Sequence, residues 1–130
     1  MNTFASLQRG YTTIVGISSC LASILLVLYV NTHGLSFDML FGCLYVALGI
    51  LAFYLGFWGS DYACRMFSFF HGLMFCIIAL LGWIFPHLGG LELFTPPHPF
   101  IHTVIGVIGV AVGNVSVNMH FFSKHSLKQI

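Results

Sequence analysis

Apolar residues fill four long stretches of this chain, and polar residues gather between them. The stretches are Tyr11–Val30, Phe37–Trp58, Met66–Phe85 and about 100–122. An α-helix needs about 20 apolar residues to cross a bilayer core about 30 Å thick. The pattern therefore predicts four membrane-spanning helices, preceded by a short polar lead over Met1–Gly10. A secretory signal core is shorter and exits through small residues. The first run is too long for that and is expected to be retained.

The connections support this division. Asn31–Ser36 is short and polar, so helices one and two are antiparallel neighbours. Ser36 is a candidate N-cap for helix two, with Asp38 in the first turn facing the positive end of the helix dipole. Gly59–Arg65 is expected to be the second turn. Pro86 ends segment three, and the loop His87–Pro99 is stiffened by prolines 96, 97 and 99. Pro99 suits the first position of helix four. The tail Ser123–Ile130 is polar.

Glycines mark where helices can approach one another. Gly42, Gly49 and Gly56 recur every seven residues in segment two, and Gly106, Gly109 and Gly113 step through segment four. In segment three, Ser68, Gly72, Cys76 and Ala79 form a small-residue seam beside His71. Moving segment two onto segment four by 64 positions pairs Gly42, Val46, Ala47 and Gly49 with Gly106, Val110, Ala111 and Gly113. Moving segment one onto segment three by 56 pairs Arg9 with Arg65, Gly16 with Gly72 and Cys20 with Cys76. The expected fold is all-α: one transmembrane domain over residues 1–130, a four-helix bundle built from two hairpins related by a parallel repeat.

Composition agrees. Hydrophobic residues make up 58% of the 130 and charged residues 5%, and mean hydropathy is +0.98. Soluble domains carry about 25% charged residues. Net charge is +1, without a basic patch for nucleic acid. Arg9, Arg65, Lys124 and Lys128 all fall on one side of the predicted topology, which puts both termini in the cytoplasm. Cys20, Cys43, Cys64 and Cys76 lack a C-x-x-C spacing and are expected to be reduced packing residues.

The opening of segment four, His98-Pro99-Phe100-Ile101-His102 followed by Gly106, Gly109 and Gly113, resembles a family of uncharacterised four-helix bacterial membrane proteins. In that family the second and fourth helices open with polar or histidine residues and continue in glycine steps. The resemblance covers roughly Gly10 to Asn118. It departs in segment two, where Gly34 stands in place of His98 and Asp38 in place of His102. It implies a fold and a location, and no activity.

Chemistry is sought among the ionisable residues. His33, Asp38, His87, Glu92, His98 and His102 fall on the outer rim of the predicted topology. His98 and His102, one turn apart, are candidate ligands to one metal ion, and the repeat brings Asp38 towards His102. Equally, such residues cap helix starts at the headgroup level. His71 and His120, near the inner ends of helices three and four, are candidate axial ligands to haem or chlorophyll, or histidines within easy reach of water. Asn114, Ser116 and Asn118 read as interhelical hydrogen-bonding groups. No catalytic framework appears. The leading expectation is a non-enzymatic accessory or structural subunit of a larger membrane complex, in contact with lipid and with other subunits or copies of itself. The alternatives are a metal-, haem- or pigment-binding membrane protein and a small oligomeric transporter or channel.

Overall fold

A computed structural model describes residues 3–33, 38–86 and 97–126, with side chains 3–4, 23, 26–27, 29–33, 38–41 and 116–126 outside that description. Among the described residues the protein is all-α, with four helices and no strand: α1 (Thr3–His33), α2 (Asp38–Trp58), α3 (Asp61–Ile84) and α4 (His98–Ser126).

Every expected helix is present, and several boundaries move outward into polar sequence. Met1–Gly10 is not an extended lead, because α1 already runs from Thr3. Its polar residues are anchored: Gln8 Nε2 donates to the Val112 carbonyl at 3.2 Å, and Arg9 donates to the carbonyls of Gly56 at 3.1 Å and Gly59 at 2.9 Å. At the other ends, α1 continues through Asn31 and Thr32 to His33, and α4 continues to Ser126.

The second turn is also tighter than Gly59–Arg65. Only Gly59 and Ser60 separate α2 from α3. Ser60 caps α3, its hydroxyl accepting from the Ala63 amide at 3.2 Å, so Asp61 to Arg65 are already helical. Arg9 closes this corner. Its guanidinium joins the last carbonyls of α2 to Asp61 at 2.9 Å, and that hydrogen bond raises its pKa further above an already high value. The α3 helix stops at Ile84, with Phe85 as C-cap and Pro86 unable to continue it. The N-cap expected at Ser36 and the loop from His87 to Pro96 lie outside the described residues.

Contacts concentrate between α1 and α2 and between α3 and α4. Both pairs are antiparallel, since Gly49 meets Ser19 and Gly56 meets Thr13, while Gly106 meets Cys76 and Gly113 meets Phe69. Gly16 lies against the Phe53 backbone, as Gly72 lies against Val110 and Gly109. These contacts relate α2 to α4 by 57 residues, through Gly49 and Gly106, Phe53 and Val110, and Gly56 and Gly113. That spacing is one heptad less than the 64 read from sequence. Glycines spaced by seven match themselves after a shift of seven, and only the packing partners distinguish the two alignments.

The α3 helix, Asp61–Ile84, and the first 18 residues of α4, His98–Val115, are long and apolar enough to cross a membrane. Only 33% and 28% of the residues in these two spans are buried, and large apolar side chains such as Phe70, Leu80, Trp83, Phe100 and Val107 are exposed on them.

Candidate functional site

Among the described residues, large apolar side chains are exposed and several polar ones are buried. Ile14, Leu25, Ile50, Leu80 and Val107 are more than half exposed, whereas Gln8, Thr12, Ser68, His71 and His102 are buried. Residues three and four apart share one face of a helix. That spacing aligns Gln8, Tyr11 and Thr12 on α1, and Cys64, Ser68, His71 and Phe75 on α3. On α4 it aligns His98 and His102 with Gly106, Gly109 and Gly113. Tyr45 shares its face of α2 with Gly49, Ala52 and Gly56.

At one end, hydroxyls join α1 to α3. Thr12 Oγ1 donates to the Gln8 carbonyl at 2.9 Å and lies 3.4 Å from both the Cys64 carbonyl and Ser68 Oγ. Ser68 Oγ donates to the Cys64 carbonyl at 2.8 Å. Next along the seam, Tyr11 Oη meets His71 Nδ1 at 3.1 Å. Gly109 makes room for that tyrosine, because a Cβ there would stand 2.6 Å from Tyr11 Oη.

The His71 ring is flanked by Phe67 at 5.2 Å and Phe75 at 4.6 Å, centroid to centroid. Phe75 in turn meets His102 edge-on at 5.3 Å, and His102 lies 6.5 Å from both Tyr45 and His98. A column of rings thus links the two buried imidazoles, with Phe75 between them. Among the described residues, Tyr45 Oη and His102 Nδ1 are the buried side-chain polar atoms without a hydrogen-bond partner. An unsatisfied buried group costs about 1–3 kcal/mol, so each requires an explanation.

The structure revises several expectations here. His71, expected within easy reach of water, is buried. It is 8% exposed and lies ten residues into α3, because that helix starts earlier than the apolar run suggests. Its surroundings are filled by Phe67, Phe75 and Tyr11 of the same chain. From α2, Tyr45 meets His102, while the side chain of Asp38 lies outside the described residues. Asn114 is exposed and does not turn into a neighbouring helix.

His98 and His102 do come together through their rings. Among the described residues, however, no three His, Cys, Asp or Glu side chains form a group that could hold a metal ion. The side chains of His33, Asp38 and His120, and all of His87 and Glu92, lie outside the described residues, as do the side chains of Ser116 and Asn118.

Of the predicted packing glycines, Gly49, Gly56, Gly72, Gly106, Gly109 and Gly113 are buried at helix crossings, and Gly42 is half-buried. All four cysteines are free. Tyr11, Tyr45, Phe75 and the Arg9 corner went unpredicted as parts of a site. Their only sequence signal is a place on the same heptad stripe as a glycine or histidine. No family model, curated protein or solved structure matches the chain.

Proposed function

We propose that this is a non-enzymatic, multi-pass membrane protein: a four-helix bundle with both termini in the cytoplasm, acting as a small subunit of a larger membrane assembly. The inverted exterior carries this reading. Large apolar side chains are exposed on all four helices while the buried groups include five polar residues, the arrangement expected where lipid rather than water is the solvent.

The aromatic ends of α3 give the scale. Tyr62 and Trp83, 69% and 60% exposed, are 21 residues apart, or about 31 Å along a helix rising ~1.5 Å per residue. That separation matches the thickness of a bilayer core, and amphipathic rings favour its two interfaces. Trp58, 69% exposed, lies at the same end as Tyr62, across the turn that Arg9 closes.

The shared contact register supports origin by duplication of one helical hairpin. Thr12 and Ser68, equivalent in that register, are 3.4 Å apart, as residues beside a pseudo-two-fold axis must be. The exposed apolar surface supports a subunit role by offering packing area to neighbouring transmembrane helices.

Two measurements test the proposal. Alkaline carbonate should leave the protein in the membrane pellet, and reporter fusions at residues 1 and 130 should both report the cytoplasm. Extraction into the supernatant, or ends on opposite sides, would overturn the topology. In mild detergent the protein should migrate with partners, and a lone species of 14.4 kDa would refute the subunit role.

A further inference from the structure

We propose that the buried polar seam is a proton path across the protein, interrupted by the ring of Phe75, which acts as its gate. The inference rests on the membrane reading and goes beyond it by giving the interior a function.

Extent is the first argument. At one end Gln8 donates to the Val112 carbonyl, and at the other stands His98. Fourteen residues of α4 separate these levels, about 21 Å at ~1.5 Å per residue. Polar side chains therefore span about two thirds of a hydrocarbon core about 30 Å thick. Helix packing alone does not require this, because small residues bring helices together without polar groups, as the glycines here already do. Ionisable residues inside a membrane are costly and mark ion and proton pathways.

Connectivity is the second argument. Thr12 and Ser68 form a hydroxyl pair, and Tyr11 touches His71. Beyond Phe75, His102 Nδ1 and Tyr45 Oη are buried with their hydrogen-bonding capacity unused by the described residues, as the open ends of a chain that water would complete. Each imidazole passes a proton without net change: one ring nitrogen gains a proton, the other loses one to the next acceptor, and a ring flip restores the tautomer. The protons come from water on one side and return to water on the other. Phe75, in contact with both imidazoles, interrupts the relay until its ring swings aside and water enters.

The test uses the full chain in phosphatidylcholine–phosphatidylglycerol vesicles holding a pH-sensitive dye, with a potassium gradient and valinomycin as driving force. Flotation and circular dichroism report insertion and helix content in the same preparations. Wild type should carry protons above the rate of protein-free vesicles, and Phe75→Ala should be about ten-fold faster, because an apolar constriction gates by excluding water. Phe75→Leu should be intermediate and serves if the alanine variant does not fold. Adding His71→Ala or His102→Ala to the Phe75 variant should return the flux towards the protein-free rate, and Leu80→Ala, on the exposed surface, should leave it unchanged.

Inserted Phe75 variants no faster than wild type would overturn the path alone. So would double variants as fast as Phe75→Ala, which would mark a general leak. A chain that does not float with the vesicles would overturn the membrane reading and the path with it.

Discussion

The seam between α1 and α2 and the seam between α3 and α4 follow the same register and are filled differently. In the first, Gly49 and Gly56 of α2 receive Ser19 and Thr13, so much of each contact is glycine against a small side chain. In the second, Gly72 lies against the backbone of Gly109 and Val110, and Gly106 against the Cys76 amide and Gly72 carbonyl. Main chain meets main chain at Gly72, Gly106 and Gly109 in the second pair, and chiefly at Gly16, against Phe53, in the first. A serine or threonine can rotate when crowded, whereas a helix backbone must move as a whole. The α3–α4 pair is therefore the stiffer half, and it carries both buried histidines.

This difference sets the order of expected effects. Gly72→Leu should cost about 3 kcal/mol or more through overpacking. Its readout is a fall in the SDS concentration that unfolds the detergent-solubilised protein, followed by circular dichroism. An unchanged midpoint would mean that α3 and α4 do not approach at that level.

Gly56→Ala should cost less, about 1 kcal/mol, because its Cβ would stand 2.5 Å from Thr13 Oγ1, an atom that can rotate, and 3.0 Å from Thr13 Cα. Combining it with Thr13→Ala should recover roughly half of that loss in a double-mutant cycle. Strict additivity would separate the two positions and remove the contrast between the seams. Ser68→Ala should have the smallest effect, about 0.6 kcal/mol, typical of one interhelical hydrogen bond in a membrane. Thr12 keeps the Gln8 and Cys64 carbonyls when that hydroxyl is lost. A loss several times larger in the same unfolding assay would show that the hydroxyl pair holds α1 against α3.

The site was only partly legible beforehand. Its glycines stood out because each interrupts an aliphatic run, and the His98–His102 spacing revealed a shared face. Tyr11 and Tyr45 did not stand out. Tyr11 opens an apolar segment and Tyr45 lies within one, and nothing local marks either as facing an imidazole. Arg9 was likewise an isolated charge in a polar lead until its partners, Gly56, Gly59 and Asp61, were brought beside it from about 50 residues away. The Tyr11–His71 contact bridges 60 residues.

By itself, the sequence determined the number of helices, their approximate places and the absence of strand among the described residues. Those properties follow from the length and composition of local apolar runs. Tertiary structure decided the helix register, the Arg9 corner and which histidines are buried. The physical reason is that apolarity no longer identifies the core when nearly every helix face is apolar. Which face turns inward is then set by the fit of small residues and the pairing of polar ones. A glycine repeat of seven leaves that fit ambiguous by one heptad, and only the facing side chains, Thr13 against Gly56 and Phe69 against Gly113, resolve it.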